Sequence, residues 1–251
     1  MPRFFVDLPL TAAAELTLPA EVARHVQVLR RQPGDELTLF DGRGGEWSAT
    51  VLEMGRREVR VRLAGQCHDV DRELSLPVTL MAAMPANDRF DWLVEKATEL
   101  GVAAIQPLMT ERSVLRLEGD RALRRQAHWQ SVAVAAAEQC GRTRVPEVAS
   151  ALPLTQALQK LSCAPGAAQA QRWLLSPAEQ AWPMARRVAD LPAQGVLIFS
   201  GPEGGFTDAE ERLVLEAGGL PTRLGPRILR AETAPLAVLA TLAQWDPQPP
   251  G

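Results

Sequence analysis

The sequence predicts an α/β protein in which a small barrel of short strands precedes a larger domain of strands alternating with helices. Up to Leu63, short apolar stretches are broken by turn signals at Pro33-Gly34-Asp35, Asp41-Gly42 and Gly44-Gly45, the spacing of a small all-β unit. From Val78 onward, apolar runs of strand length alternate with amphipathic stretches of helical period, which predicts a mostly parallel sheet covered by helices. Between the two, His68 to Ser75 is polar and aperiodic and ends before Pro77, as an interdomain linker does. The boundary is placed there, giving domains of residues 1–72 and 73–251.

In the first domain, alternation is clearest in Glu58-Val59-Arg60-Val61-Arg62-Leu63, whose apolar members share one face of a strand. Val22, Val26 and Leu29 share a helical face, so a short helix interrupts the strands between Ala20 and Leu29. In the second domain a strand from Val78 to Ala83 leads into a helix from Asp88 to Leu100. Phe90, Leu93, Ala97 and Leu100 recur there at helical spacing, Asp88 can cap the start and Gly101 can end it. Further strands are expected at Ala103 to Leu108, Trp173 to Ser176, Val196 to Ser200 and Thr222 to Leu224. Helices are expected at Arg121 to Cys140, Asp208 to Ala217 and Pro235 to Trp245, and the alanine-rich stretch Ala164 to Gln171 is expected to be a loop. Sheets of this kind bind ligands at the carboxyl ends of their strands.

With 251 residues, 46% of them apolar and 23% charged, the chain has the composition of an ordinary globular protein with a sizeable core. Met1-Pro2-Arg3 opens no signal pattern, and no window approaches the roughly 18 apolar residues of a membrane span, so a cytoplasmic location without membrane attachment is expected. Cys67, Cys140 and Cys163 are far apart and form no ligand spacing with His25, His68 and His128, which argues against a disulfide framework, a zinc site or any other metal site. The net charge of −3 does not by itself suggest a nucleic-acid partner. The basic runs Arg56, Arg57, Arg60, Arg62 and Arg121, Arg124, Arg125 are explained most simply as solvated faces.

The segment Val196-Leu197-Ile198-Phe199-Ser200-Gly201-Pro202-Glu203-Gly204-Gly205-Phe206-Thr207 is the most informative. A buried strand enters a glycine-rich loop, and Thr207 with Glu210 forms a capping box that starts a helix. A lone Gly-Gly pair would mean only a tight turn. Gly201, Gly204 and Gly205 around a proline and a carboxylate point to a loop whose backbone a ligand approaches closely. Neither a Gly-x-Gly-x-x-Gly fingerprint nor a Walker lysine is present, and Glu203 would repel a polyphosphate, so a small ligand carrying positive charge fits better. A second segment, Leu224-Gly225-Pro226-Arg227-Ile228-Leu229-Arg230-Ala231-Glu232-Thr233-Ala234-Pro235, compresses a strand end, a glycine turn and a helix start. Taken alone, its Arg230 and Glu232 would be an ion pair at a helix N-terminus.

Together the two segments resemble the SPOUT methyltransferases, specifically the 16S ribosomal RNA uridine-N3 methyltransferase family of RsmE type. The resemblance covers nearly the whole chain: Arg3-Phe4-Phe5, His25 with Leu29-Arg30, Gly34-Asp35, Asp88-Arg89, Glu95 to Val102, Glu138-Gln139 with Arg142, Gly201 to Phe206 and Leu224 to Ala234. It implies a PUA-like RNA-binding barrel followed by a SPOUT domain with a deep trefoil knot, a topology that no periodicity argument produces. It further implies S-adenosyl-L-methionine as cofactor, held bent and largely by backbone groups. Its site would comprise Leu175, Ser176, Phe199, Ser200, Gly201, Gly204, Gly205, Leu224, Gly225, Ile228, Leu229 and Thr233. The implied partners are 16S ribosomal RNA or the small ribosomal subunit, contacted by Arg3, His25, Arg30, Arg89, Arg112 and Arg142, and a second copy of the chain in a homodimer. Ala86, Cys140 and Ser200 stand where the family often carries lysine, serine, and isoleucine or valine.

Under that resemblance, uridine N3 must lose its proton before it can attack a sulfonium methyl, and charge then spreads to the uracil oxygens. Arg230 is the candidate for stabilising that charge, and Glu232 or Glu203 for taking the proton. A paired base hides N3, so the target is expected to be unpaired or flipped out. Two rival readings stand beside this one: another SPOUT enzyme acting on transfer RNA or a ribose hydroxyl, and an RNA-binding or ribosome-assembly factor without catalysis.

Overall fold

The computed structural model describes residues 1–56, 58–67, 72–86, 89–163, 169–191 and 193–245. The chain divides into one unit of Met1–Glu73 with Val134–Val145 and another of Leu74–Ala133 with Pro146–Gly251. The expected cap Asp88, half of the expected linker (68–71) and most of the expected loop (164–168) lie outside the described residues.

The first unit contains strands β1 (Arg3–Phe5), β2 (Glu15–Thr17), β3 (Glu36–Phe40), β4 (Glu46–Met54) and β5 (Val59–Cys67), with helix α1 (Ala20–Val28) after β2. They form a five-stranded sheet in the order β1-β3-β4-β5-β2, antiparallel except for the β1–β3 pair. Period-two patterning sets the register, because a slip of one residue would turn Trp47, Ala49 and Val51 of β4, and Val59, Val61 and Leu63 of β5, out of the core. Each such buried aliphatic or aromatic side chain contributes about 1.5–3 kcal/mol. The opposite face of β5 carries Arg60 and Arg62, which pair with Glu15 on β2 at 2.9 and 2.7 Å, and Arg60 also reaches Glu53 on β4. These two arginines of the basic run are therefore paired with carboxylates across the sheet.

Residues 134–145 join this unit through Arg3. Its guanidinium donates to the carbonyls of Ala137 and Arg142 at 3.2 and 3.1 Å, pairs with Glu46 at 3.0 Å, and lies 4.5 Å above the Phe40 ring. Glu138 accepts from the Phe5 N–H at 2.7 Å, and buried Arg142 is paired with Glu73.

The second unit carries β6 (Val78–Ala83), α2 (Arg89–Glu99), β7 (Ala104–Met109), α3 (Gly119–Cys140, whose residues 134–140 belong to the first unit), β8 (Glu147–Val148), β9 (Leu152–Pro153), α4 (Leu154–Cys163) and β10 (Gln171–Leu175). It continues with β11 (Trp182–Pro183), α5 (Met184–Val188), β12 (Val196–Ser200), α6 (Asp208–Glu216), β13 (Gly219–Arg223) and α7 (Thr233–Trp245). Its eight-stranded sheet runs β11-β13-β10-β12-β6-β7-β8, with β9 beside β7, and every pair is parallel. β12 is buried along its whole length, as the uninterrupted apolar run predicts. In α2 the buried residues are Phe90, Leu93, Val94, Ala97 and Thr98, and Gly101 ends the helical run at φ +89. Because all strands share one direction, the segments that follow β10, β12 and β13 emerge from the same edge of the sheet.

Candidate functional site

These segments enclose a cavity of about 470 Å3, within the range that small ligands occupy. Leu175 and Ser176 at the end of β10 supply one wall, Ser200 to Phe206 after β12 a second, and Leu224 to Ala231 after β13 a third. Register explains the convergence. Leu175 lies opposite Thr222, and the Ser176 N–H continues the ladder to the Thr222 carbonyl at 3.0 Å. Ser200 donates from its hydroxyl to the Ala231 carbonyl at 3.4 Å and so ties two walls together.

The glycine loop is held from several directions. The Gly205 N–H returns to the Pro202 carbonyl at 2.8 Å, and Gly205 has φ +69. Thr207 and Glu210 form the expected capping box, and the second oxygen of the Glu210 carboxylate accepts from the Glu111 N–H at 2.8 Å. The Arg112 guanidinium donates to the carbonyls of Gly204 and Phe206 at 2.7 and 3.1 Å. A Cβ added at Gly201 would stand 2.9 Å from the Phe206 nitrogen, so the loop closes tightly there; one added at Gly205 or Gly225 meets no protein atom within 4 Å.

Glu203 and Arg230 both line the cavity. Glu203 accepts from the Ala86 N–H at 3.0 Å and lies 3.5 Å from Arg89, which reaches Glu232 at 3.9 Å. No Arg230–Glu232 ion pair forms. The Arg230 side chain is exposed and has no hydrogen bond or ion pair among the described residues, whereas Glu232 is only 6% exposed and one of its carboxylate oxygens is buried without a hydrogen-bond partner among them. Glu211, also in the wall, has its carboxyl pushed up by burial and by nearby Asp208.

Of the residues expected to hold a cofactor, Leu175, Ser176, Ser200, Gly201, Gly204, Gly205, Leu224, Gly225, Ile228 and Leu229 line the cavity. Phe199 does not. It is fully buried and packs in the core with Met81, Leu174 and Phe206, because side chains of a strand covered on both faces point into the layers above and below the sheet. Thr233 also lies outside the wall, where it begins α7 and donates its N–H to the Arg230 carbonyl.

Among the arginines expected at RNA, Arg3 and Arg142 are committed to carbonyls and carboxylates inside the first unit, and Arg112 braces the glycine loop. Arg89 sits between Glu203 and Glu232. His25 and Arg30 are exposed at the end of α1. His25 packs edge-on against Phe4, and Arg30 adopts φ +54, a conformation that side chains other than glycine rarely take. Sequence reasoning passed over Arg223 and Arg227, which line the cavity; a position directly after or within a glycine-containing strand end was the available signal. Among the described residues no cluster of His, Cys, Asp and Glu is suited to a metal.

The RNA methyltransferase domain family matches residues 72–243, and the RNA methyltransferase PUA domain family matches residues 18–64. The ribosomal RNA small subunit methyltransferase E of Synechocystis is 36% identical over 91% of this chain and 73% of its own length. The protein of the same name from Bacillus subtilis is 32% identical over 97% of this chain and 96% of its own. Among solved structures, ribosomal RNA small subunit methyltransferase E from Neisseria gonorrhoeae bound to S-adenosyl methionine is 34% identical, with TM-score 0.87 and 97% of both chains covered. A methyltransferase from Legionella pneumophila in complex with the same cofactor is 33% identical, with TM-score 0.86 over 97% of both chains.

Proposed function

Because the chain belongs to the ribosomal RNA small subunit methyltransferase E family, we propose that it transfers the methyl group of S-adenosyl-L-methionine to N3 of a uridine in 16S ribosomal RNA. The observation that carries this reading is the cavity at the carboxyl edge of the sheet, walled by glycine backbone on two sides and opened towards an unpaired arginine. The residues fit the donor: Gly205 and Gly225 leave the space above their backbone clear, and Glu211 places a carboxyl in the wall that the donor's positively charged groups can face. The donor supplies an electrophilic methyl group on a positively charged sulfur.

The chain's own residues supply the rest. The three walls hold donor and base together and exclude water, which removes much of the entropic part of the barrier. Arg230 is free to donate to a uracil oxygen as N3 loses its proton. Glu232 takes the proton-acceptor role ahead of Glu203: it lies outside the wall but next in sequence to the wall residue Ala231, with one carboxylate oxygen buried and unpartnered among the described residues, whereas Glu203 lines the cavity but is engaged by the Ala86 N–H. The same reading includes the trefoil threading of the segments after β12 and β13, work in the cytoplasm where the ribosome is assembled, and a homodimer. Ile228, 87% exposed beside the cavity, offers a second subunit apolar surface to cover.

Mass mapping of ribosomal RNA from cells lacking the gene tests the reaction. One base-methylated uridine of 16S RNA is expected to disappear and to return on incubation with purified chain and donor. An intact 16S map, with the missing methyl group in transfer RNA or on a ribose, would assign a different substrate.

Arg112 gives a second expectation. With its donors on the carbonyls of Gly204 and Phe206, its role is to shape the donor loop rather than to grip phosphate. Arg112→Ala is expected to weaken donor binding about tenfold in calorimetry, as loss of charge-assisted hydrogen bonds implies, with lysine restoring part of it. RNA affinity should keep its salt dependence. A reduced salt slope with normal donor affinity would return Arg112 to the RNA surface.

A further inference from the structure

We propose that the sheet edge beside the cavity is a single-stranded RNA site, in which Trp182 stacks a base flanking the target and Arg223 and Arg227 take backbone phosphates. The inference rests on the methyltransferase reading and adds to it the place where the substrate strand lies.

The position follows from the edge strand. β11 pairs Trp182 with Thr222 and Pro183 with Arg223, and both partners on β13 belong to the cavity wall. The indole therefore sits one strand from the site. It is 54% exposed, although a large aromatic side chain is usually covered. Its ring is held rather than loose: the Arg187 guanidinium carbon lies 5.0 Å from the ring centroid, and Arg187 is anchored by donation to the Pro221 carbonyl at 3.2 Å. An aromatic ring with one face supported by a guanidinium and much of its remaining surface open is the form in which unpaired bases are stacked.

Charge identifies the occupant. Arg223, Arg227 and Arg230 all line the cavity, and none has a side-chain hydrogen bond or ion pair among the described residues. The carboxylates in the same wall are Glu203, already engaged by Ala86 and Arg89, and Glu211; Glu179 stands exposed ahead of β11. The donor carries a sulfonium, an ammonium and one carboxylate, so it adds positive charge and leaves the arginines uncompensated. An anionic chain supplies what is missing.

The test uses the full chain and a fluorescein-labelled single-stranded RNA decamer of mixed sequence, read by anisotropy over a salt series, with donor affinity and methylation measured in parallel. Trp182→Ala is expected to weaken RNA binding about tenfold or more, with unchanged donor affinity and an unchanged slope of log Kd against log salt concentration. Trp182→Phe keeps a ring and should recover most of the affinity. Arg223→Gln and Arg227→Gln should each lower the slope by about 0.7, the value for one phosphate contact on a single strand. Decamer affinity of Trp182→Ala within twofold of wild type overturns the proposal, as does loss of self-association by that variant in sedimentation, which would make the edge a contact between copies. Arginine variants that lose donor affinity and keep the salt slope overturn the phosphate assignment. Failure of the methyltransferase reading is seen separately, as a wild-type chain that binds the decamer but neither binds the donor nor methylates RNA.

Discussion

Replacing Gly205 by valine is expected to weaken S-adenosylmethionine binding by about a hundredfold or more in a calorimetric titration while the chain still folds. A Cβ at this position meets no protein atom within 4 Å and Gly205 lines the cavity, so the added carbons are expected to take up ligand space rather than to push the loop apart. A second effect acts on stability. Gly205 has φ +69, where a β-branched residue is disfavoured by about 1–2 kcal/mol, which for a chain of this size lowers Tm by several degrees. Gly205→Ala separates the two, since it carries much of the backbone strain but fewer atoms into the cavity; its Tm loss should approach that of valine with a smaller loss of affinity. Wild-type affinity in both variants would reduce the loop to a tight turn. Gly201→Ala should behave in the opposite way. Its Cβ would stand 2.9 Å from the Phe206 nitrogen and 3.1 Å from the Gly205 carbonyl carbon, so the loop itself must shift and stability falls before any ligand is added.

What the sequence disclosed about this fold follows the strength of local patterning. The alternation at 59–63 and the apolar run at 196–200 each admit one placement, and the capping box at Thr207 and Glu210 formed as its spacing requires. β13 begins at Gly219, three residues before the expected strand, because Gly219 and Pro221 have low strand propensity and are held by pairing with β10. β8, β9 and β11 are two residues long and carry no period at all. α4 was legible but passed over: Leu154, Ala157, Leu158 and Leu161 have helical spacing directly after Pro153. The arginines are a different case, since sequence gives a guanidinium its charge but not its partners. Arg3, Arg112 and Arg142 look like phosphate ligands until folding brings carbonyls and carboxylates from distant segments to them. Residues two apart at a helix start do not face each other, and Arg230 and Glu232 accordingly have different surroundings.

Arg230→Ala is expected to lower kcat and kcat/KM by similar factors, on the order of a hundredfold or more, with little change in donor affinity. In the protein alone the guanidinium lines the cavity, exposed and without a hydrogen bond or ion pair among the described residues. Removing it breaks no side-chain hydrogen bond or ion pair among the described residues, so Tm should change little. Its partner must come with the substrate, and a neutral uracil oxygen attracts it only weakly. As N3 loses its proton, negative charge grows on that oxygen, and the hydrogen bond strengthens in the transition state alone. Lysine at this position keeps the charge but not the planar fork, so partial rescue by Arg230→Lys would indicate charge stabilisation over bidentate positioning. Glu232→Ala should behave differently. It leaves Arg89 without one of its carboxylates and removes the proposed proton acceptor, so its rate should recover as pH rises and deprotonated uridine becomes available, whereas the Arg230→Ala defect should persist. Single-turnover methylation at saturating RNA and donor, measured across pH, decides the matter; an Arg230→Ala rate within about twofold of wild type removes this residue from the mechanism.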